Sequence, residues 1–579
     1  MEILSRLLTS RLKIVIGIIL CSFSAIILYL FHLQINLQLN FFKLGQQNFL
    51  RYEKVNSPRG NIIDAEGNLL ATNRPVYSIY WQGRGEKKLS SDHNRIVAEL
   101  KEIISFPDEI IEKLTIAEKQ RQQIQIAYDV SFEQLSRILE YFPNHKNISI
   151  KKQFKRFYPH KHIASHVVGY LGLDLESTGK MGLELICNDA LKGQSGEIIK
   201  IINSIGHNLA SYQVKQALAG DTLQTTLNLG LQLIAEEVFP EEYEGTCIVL
   251  NPRTGAVEVI LSRPSFDPNI FLRAINPEEW QTLQEKKSFI NRALNALYPP
   301  ASLFKLVTLS AALERHIITP ETRWYCPGYS MFAERAYHCS KLTGHGALST
   351  EQALAHSCNI PFFEIGKKLK IDTLAEYAYK LGLGTKTNIL FHEKTGLVPT
   401  SEWKKKIKGE RWWPGETLSA AIGQTFILVT PMQVACMISA LCEGYFVQPR
   451  ILAVEPLAKR PIDLRSDTLH FLRGCMENVI KYGTGLYLRN LPGFKIYGKT
   501  GGAQTSSLKN RDLGKEHIPH AWFATYFRYK DHDPHTLVLL IENAGSSSVA
   551  IKVAQKFFRK YAELVEQKSS YTTSANGSS

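Results

Sequence analysis

Tyr298-Pro299-Pro300-Ala301-Ser302-Leu303-Phe304-Lys305-Leu306-Val307-Thr308-Leu309-Ser310-Ala311-Ala312-Leu313 is the stretch that decides how the rest of this chain is read. The prolines set up a helix start and nearly every position after Ser302 is apolar, so the pattern predicts a helix over Ser302 to Glu314 running through a domain core. Ser302 and Lys305, three apart, share one face of that helix. At its N-terminus the serine meets backbone N–H groups aimed at incoming negative charge. Lys305 is desolvated among apolar neighbours, which disfavours its charged form and makes it a base usable near neutral pH.

Ser-x-x-Lys also occurs at Ser149/Lys152, Ser177/Lys180, Ser401/Lys404 and Ser506/Lys509, in charge-rich stretches where a lysine is expected to stay protonated and solvated. Two further segments favour Ser302. Ser357-Cys358-Asn359 falls within the helical pattern Thr350 to Leu369 and supplies a hydroxyl and an amide two positions apart. Lys499-Thr500-Gly501-Gly502 follows a strand pattern ending at Tyr497, and its glycines let a ligand backbone come close. A second Lys-Thr-Gly at Lys394 to Gly396 has no strands after it, whereas Lys499 is followed by strand patterns at Ala521 to Phe527 and Thr536 to Glu542.

Working outward, Thr222 to Leu229 and Thr246 to Leu250 alternate as strands, and Asn251-Pro252-Arg253-Thr254-Gly255 forms a hairpin turn before Val257 to Leu261. Strands at both ends with helices between them, Pro431 to Leu441 among these, imply an α/β sandwich over 221–566 whose sheet is completed by the C-terminal strands. Residues 34–220 mix strand-like runs such as Val76 to Trp81 with amphipathic stretches such as Ser131 to Tyr141, and read as an elongated α+β pedestal domain. Ahead of it, Arg6, Arg11 and Lys13 precede the apolar run Ile14 to Phe31. That is a single transmembrane anchor over 14–33, with 1–13 cytoplasmic and the remainder outside. No small-x-small cleavage pattern follows it, so the anchor is retained. Residues 567–579, rich in Ser, Thr, Gly and Asn, are expected to be disordered.

A chain of 579 residues exceeds one compact core, and 44 % hydrophobic with 21 % charged residues is ordinary globular composition. The net charge of +14 suits an anionic partner, but zinc-finger spacing, RNP-type aromatics and a dense basic block are all missing, so nucleic acid is set aside. Nine cysteines, an odd and scattered set, do not make a disulfide scaffold. Cys326, Cys339 and Cys358, with His345, lie between and within the motifs. As a Cys3His set they suit four-coordinate structural zinc. On spacing alone, without Cys-x-x-Cys, buried or disulfide-forming cysteines are the simpler reading.

The order Ser-x-x-Lys, Ser-x-Asn, Lys-Thr-Gly resembles the class B penicillin-binding proteins, and the likeness covers nearly the whole chain after the anchor. It includes Pro58-Arg59-Gly60-Asn61-Ile62-Ile63-Asp64, Arg156-Phe157-Tyr158-Pro159, Gly182-Leu183-Glu184, Ile422-Gly423-Gln424 and His520-Ala521-Trp522-Phe523. The resemblance implies a penicillin-binding, β-lactamase-like transpeptidase domain in the inner membrane's periplasmic space, cross-linking peptidoglycan stem peptides and trapped by β-lactam antibiotics. It implies Ser302 as nucleophile, Lys305 as base, Ser357 as proton relay, Asn359 holding the peptide amide, Lys499 adding positive potential and Thr500 holding the donor carboxylate. Backbone N–H groups of Ser302 and Gly502 are implied for the oxyanion, with Gly501 giving close approach. It also favours Zn2+ on Cys326, Cys339, His345 and Cys358, and an elongation role beside a polytopic membrane glycosyltransferase, since no glycosyltransferase domain precedes Gly220. The family usually writes Thr or Ser where Gly502 stands, which removes a hydroxyl. The alternatives are a D,D-carboxypeptidase or β-lactamase-like hydrolase, and a non-catalytic scaffold of the wall-synthesis machinery.

Overall fold

The computed structural model describes residues 2–143, 145–173, 178–203, 208–389, 392–503, 514 and 517–576. It divides into two compact units, one made of Met1–Arg59, Asn73–Lys155 and Lys192–Gly220, the other of Gly60–Thr72, Arg156–Leu191 and Asp221–Ser579. Residues 60–72 and 156–191, which fall inside the stretch read from the sequence as pedestal, are grouped by their contacts with the second unit. Polar contacts join these two segments to each other and, through Asp64 and through Tyr158 with Asn269, to the rest of the unit. Arg156 Nε donates to Glu184 Oε1 at 2.7 Å, its Nη1 donates to the Gly60 carbonyl at 2.7 Å, and the Asp64 carboxylate accepts from Leu229 N at 2.9 Å.

In the first unit, helix Glu2–Phe31 continues through a π turn at His32–Asn36, and Arg11–Asn36 is long and apolar enough to cross a membrane. Strands Leu50–Val55, Gly196–Ile202 and Asn208–Lys215 form a three-stranded antiparallel sheet. A separate core of Ile79, Trp81, Ile96, Leu100, Ile126 and Ile138 gathers strand Gln123–Val130 and the helices Ser91–Ile103, Asp108–Gln120 and Phe132–Tyr141. The last starts at a capping box in which the Ser131 hydroxyl and the Gln134 side chain each accept a backbone N–H of the other.

The second unit is built on a five-stranded antiparallel sheet of β1 (Gly245–Leu250), β2 (Val257–Arg263), β3 (Phe494–Ala503), β4 (His520–Tyr529) and β5 (His535–Ile541), in the order β2-β1-β5-β4-β3. The β1–β2 turn is the expected one: Asn251 Oδ1 accepts from the N–H groups of Arg253 and Thr254, and Gly255 takes a positive φ of 72°. Period-two alternation sends Ile248, Leu250, Trp522, Ala524, Val538 and Leu540 into one core and Cys247, Val249, Phe523, Leu537 and Leu539 into another. Helices Lys305–Glu314 and Pro431–Glu443 contribute to the first core, Leu229–Val238 and Ser547–Asn576 to the second. Both faces are therefore buried.

Three expectations change. Thr222 to Leu229 is mostly not strand: Leu223–Gln224 pairs with Ile62–Ile63, Thr225 makes a single bridge to Leu452, and Asn228 then caps helix Leu229–Val238 by accepting from Leu231 N. The helix expected over Thr350 to Leu369 is two, Thr350–Ala355 and Ile360–Lys368, because Pro361 has no N–H to continue the ladder and instead sits in the first turn of the second helix. The tail expected to be disordered is helical through Asn576, extending a helix whose apolar face packs on the sheet; 577–579 lie outside the described residues.

Candidate active site

Ser302 lies on a 3-10 turn, Ala301–Leu303, immediately before helix Lys305–Glu314. The turn is pinned from several sides. Ala301 N donates to the Gly423 carbonyl at 3.0 Å, Trp522 Nε1 donates to the Pro299 carbonyl at 3.0 Å, and a Cβ on Gly501 of β3 would sit 3.4 Å from the Pro300 carbonyl oxygen. Ala301 itself adopts φ 48°, a left-handed conformation unusual for a residue with a Cβ. The serine is thereby presented beside β3, an edge strand of the sheet.

Lys305 is fully buried, and burial pushes its amine down to about 8, partly offset by the Cys358 and Cys339 sulfurs. Its Nζ lies 2.8 Å from the Ser357 carbonyl, 3.2 Å from Ser357 Oγ and 2.8 Å from Asn359 Oδ1. Lys499, also fully buried, donates to Ser357 Oγ at 3.0 Å and to the Thr500 carbonyl at 2.9 Å. Desolvation and the charge of Lys305 hold it well below the ordinary lysine range. The Ser357 hydroxyl thus bridges two dehydrated amines, an arrangement suited to passing a proton. Ser357 achieves this in the break between two helices at φ 52°, not on a helix. Such conformations cost of order 1–3 kcal/mol and persist where surroundings impose them.

The remaining sequence candidates separate cleanly. Thr500 is buried on β3 and its Oγ1 is 2.7 Å from Thr484 Oγ1; Gly502 is exposed with open space at its Cα. Thr484 was not singled out from the sequence, although Gly483-Thr484-Gly485 is a usable turn signal. Lys394-Thr395-Gly396 is a loop whose Thr395 carbonyl accepts from Gln433. Ser149 and Lys152 lie on strand Ile148–Phe157, where residues three apart face opposite sides. Ser401 donates to Asp372, and Lys404 is buried, not solvated as expected. Desolvation alone would lower it, but its hydrogen bond and ion pair with Glu416 at 2.6 Å hold it above the ordinary range. Ser177, Ser506 and Lys509 lie outside the described residues.

Cys326, Cys339, His345 and Cys358 converge, all ligand atoms lying within 4.8 Å of one another. Cys326 ends strand Arg323–Cys326, Cys339 follows strand Arg335–His338, and His345 N donates to the Cys326 carbonyl at 3.1 Å. A Cβ on Gly344 would come within 2.3 Å of that carbonyl, so this approach requires glycine. The sulfurs of Cys339 and Cys358 are 3.7 Å apart, and His345 Nδ1 is 3.6 Å from Cys326 Sγ and 3.5 Å from Cys339 Sγ. A tetrahedron with Zn–S near 2.3 Å and Zn–N near 2.0–2.1 Å has edges of roughly 3.8 Å and roughly 3.6 Å, so the four residues fit zinc. The same sulfur–sulfur distance is far too long for a disulfide, which is about 2.0 Å. The hydrogen bond from Cys358 holds the Cys339 thiol well below the ordinary thiol range.

A half-buried serine on a turn beside the edge strand β3, with two dehydrated lysines joined through the Ser357 hydroxyl, defines an acyl-transfer enzyme of the serine type, and family comparison agrees. The model of the penicillin-binding protein transpeptidase domain matches residues 245–563, and that of the penicillin-binding protein dimerisation domain matches residues 54–225. The chain belongs to the penicillin-binding protein family, in its class B, elongation-type branch. It is 29 % identical to the peptidoglycan D,D-transpeptidase MrdA of Haemophilus influenzae, over 87 % of this chain and 84 % of that one. The penicillin-binding protein PBP2 of Helicobacter pylori, solved in complex with MreC, superposes with a TM-score of 0.78 at 27 % identity, covering 89 % of this chain and 99 % of that one. A chain from a structure on the coordination of polymerisation and crosslinking by a peptidoglycan synthase complex superposes with a TM-score of 0.74 at 28 % identity, covering 95 % and 98 %.

Proposed function

We propose that this chain is a membrane-anchored peptidoglycan D,D-transpeptidase that works through an acyl-enzyme on Ser302. The observation that carries the reading is the Ser357 hydroxyl held at 3.2 Å from Lys305 Nζ and 3.0 Å from Lys499 Nζ, behind the turn that presents Ser302. Neutral Lys305 takes the Ser302 proton as Oγ attacks the penultimate D-Ala carbonyl of a donor stem peptide. The carbonyl becomes a tetrahedral oxyanion, met by the N–H groups of Ser302 and Gly502, a type of donor whose loss costs about 10²–10³ in rate. Collapse breaks the peptide bond; the leaving amine of D-Ala receives the proton from Lys305 by way of Ser357 Oγ. An amine of a second stem peptide then attacks the acyl-enzyme, and the serine regains its proton. β3, as an edge strand, offers unpaired backbone groups to an extended peptide, with Lys499 and Thr500 at its carboxylate end.

Cys326, Cys339, His345 and Cys358 would hold structural zinc, all four positions taken by protein, so the ion braces the Ser357–Asn359 segment and activates no water. The basic flank and the apolar helix Arg11–Asn36 support an anchor with the catalytic unit on the periplasmic side. Likeness to MrdA and to a chain of a peptidoglycan synthase complex supports sidewall elongation beside a polytopic glycosyltransferase, with MreC-like scaffold contact. Intact-mass analysis with benzylpenicillin tests the core of this. One penicilloyl group on wild type and none on Ser302→Ala is the expected result. Repeated consumption of penicillin would instead mark a hydrolase, and no adduct a scaffold.

A further inference from the structure

We propose that Glu86, His93 and Glu118, in the membrane-proximal unit and apart from the catalytic machinery, form a site for one divalent transition-metal ion such as Zn2+. Their ligand atoms lie within 4.8 Å of one another. His93 occupies the first turn of helix Ser91–Ile103, where its N–H donates to the Ser90 hydroxyl, and its ring stands edge-on to Trp81 with centroids 5.4 Å apart. It is 7 % exposed, and its Nδ1 has no hydrogen-bond partner although Glu86 Oε2 is 3.6 Å away. Buried ring nitrogens are rarely left so.

Glu118, near the end of helix Asp108–Gln120, is fully buried. Trp81 Nε1 donates to it at 2.9 Å, Arg84 N at 2.8 Å and Asn147 Nδ2 at 3.2 Å. Three donors stabilise the carboxylate and occupy three of its four lone-pair positions, leaving one. With its Nδ1 unprotonated, the imidazole and the two carboxylates would present only acceptors to their common space, which a metal cation would fill. One nitrogen and two oxygens suit borderline ions such as zinc or cobalt at about 2.0–2.2 Å, with a position left for water. Glu86, half exposed on the loop before Ser91, supplies the movement needed to close that distance. The ion would tie this loop, helix Ser91–Ile103 and helix Asp108–Gln120 together.

The test uses full-length protein in detergent, stripped with a chelator and dialysed against Zn2+, with metal counted by mass spectrometry. Because the Cys3His set is present throughout, the informative quantity is the difference between proteins. Wild type is expected to hold one equivalent more than Glu86→Gln and than His93→Gln, and zinc-edge diffraction to place an ion within bonding distance of His93 Nδ1. Glu86 is exposed enough that its variant keeps the apo melting temperature of wild type. Equal stoichiometry in wild type and Glu86→Gln, or no anomalous peak beside His93, overturns the proposal.

Discussion

Asn359 donates its backbone N–H to Cys339 Sγ at 3.5 Å, while its side-chain Oδ1 accepts from Lys305 Nζ at 2.8 Å. One residue therefore links the thiol cluster to Lys305, the proposed base. Asn359 Nδ2 is tied as well, donating to the His338 carbonyl at 3.1 Å, next to Cys339. Loosening the cluster should misplace the amide and the hydroxyl at Ser357 together. Supporting groups around a metal typically change activity 10–100-fold. Cys339→Ser, or removal of metal by a chelator, is expected to slow benzylpenicillin acylation by roughly that factor. Stopped-flow acylation with and without added Zn2+ checks it; unchanged rates would detach the cluster from catalysis.

The amine of Lys305, brought down to about 8 by burial, sets a pH dependence. The neutral form is the base, so the acylation rate should rise tenfold per pH unit below about 8 and level off above it. Lys305→Arg keeps the cation at all accessible pH and is expected to lose about 10²–10⁴ in acylation rate. A pH profile flat from 6 to about 9 would show that Lys305 is not the group that titrates.

Much of this was legible in the chain because the signals were local. Asn251-Pro252-Arg253-Thr254-Gly255 carries its own turn chemistry, and the apolar run after Ser302 carries its own burial. What could not be read depended on contacts distant in sequence. Lys404 is buried because Glu416 comes to meet it, and residues 156–191 group with the catalytic unit because Tyr158 and Asn269 exchange hydrogen bonds and the His166 ring meets the Ser288 carbonyl. The break at Ser357 had a visible cause in Pro361, but a helical apolar period continuing on both sides concealed it.

Arg156 and Glu184 are paired with side chains 1 % and 0 % exposed. Tyr158 adds a hydroxyl donated to Glu184 Oε1 at 3.2 Å. Removing one partner strands a charge in a low-dielectric interior, at about 3–5 kcal/mol. Glu184→Ala is expected to lower the thermal midpoint of the catalytic unit by several degrees, read by calorimetry. The double replacement Arg156→Met with Glu184→Leu should recover most of that loss, since no unpaired charge remains.

Gly423 holds φ 73°, and a Cβ there would come within 2.2 Å of the Ala301 carbonyl oxygen and 2.7 Å of Phe304 Cβ. Either the turn bearing Ser302 moves or the residue cannot be accommodated. Gly423→Ala should therefore reduce acylation by well over the tenfold that a 1.4 kcal/mol strain corresponds to. Benzylpenicillin labelling against melting temperature separates the two effects: labelling falls in protein that remains folded.

Gly502 stands where the Lys-Thr-Gly-Thr/Ser pattern of the resemblance would place a hydroxyl, and the structure leaves room for one. Nothing lies within 4 Å of the position its Cβ would take, and its φ is not in the left-handed region that would strain another residue. On β3 it follows Thr500 and Gly501, on the edge strand beside the turn that presents Ser302. A hydroxyl there would reach the donor carboxylate, and a hydrogen bond to a charged group is worth about 1.5–3 kcal/mol. Gly502→Thr is accordingly expected to tighten donor binding about tenfold or more, with the melting temperature unchanged or slightly raised by the better strand propensity of threonine. The gain should appear in KM for a D-Ala-D-Ala donor peptide and in the second-order acylation rate for penicillins, both of which carry that carboxylate. It should be absent for a donor amidated at its C-terminus. Equal improvement for the amidated donor would place the effect in the strand and not in the carboxylate.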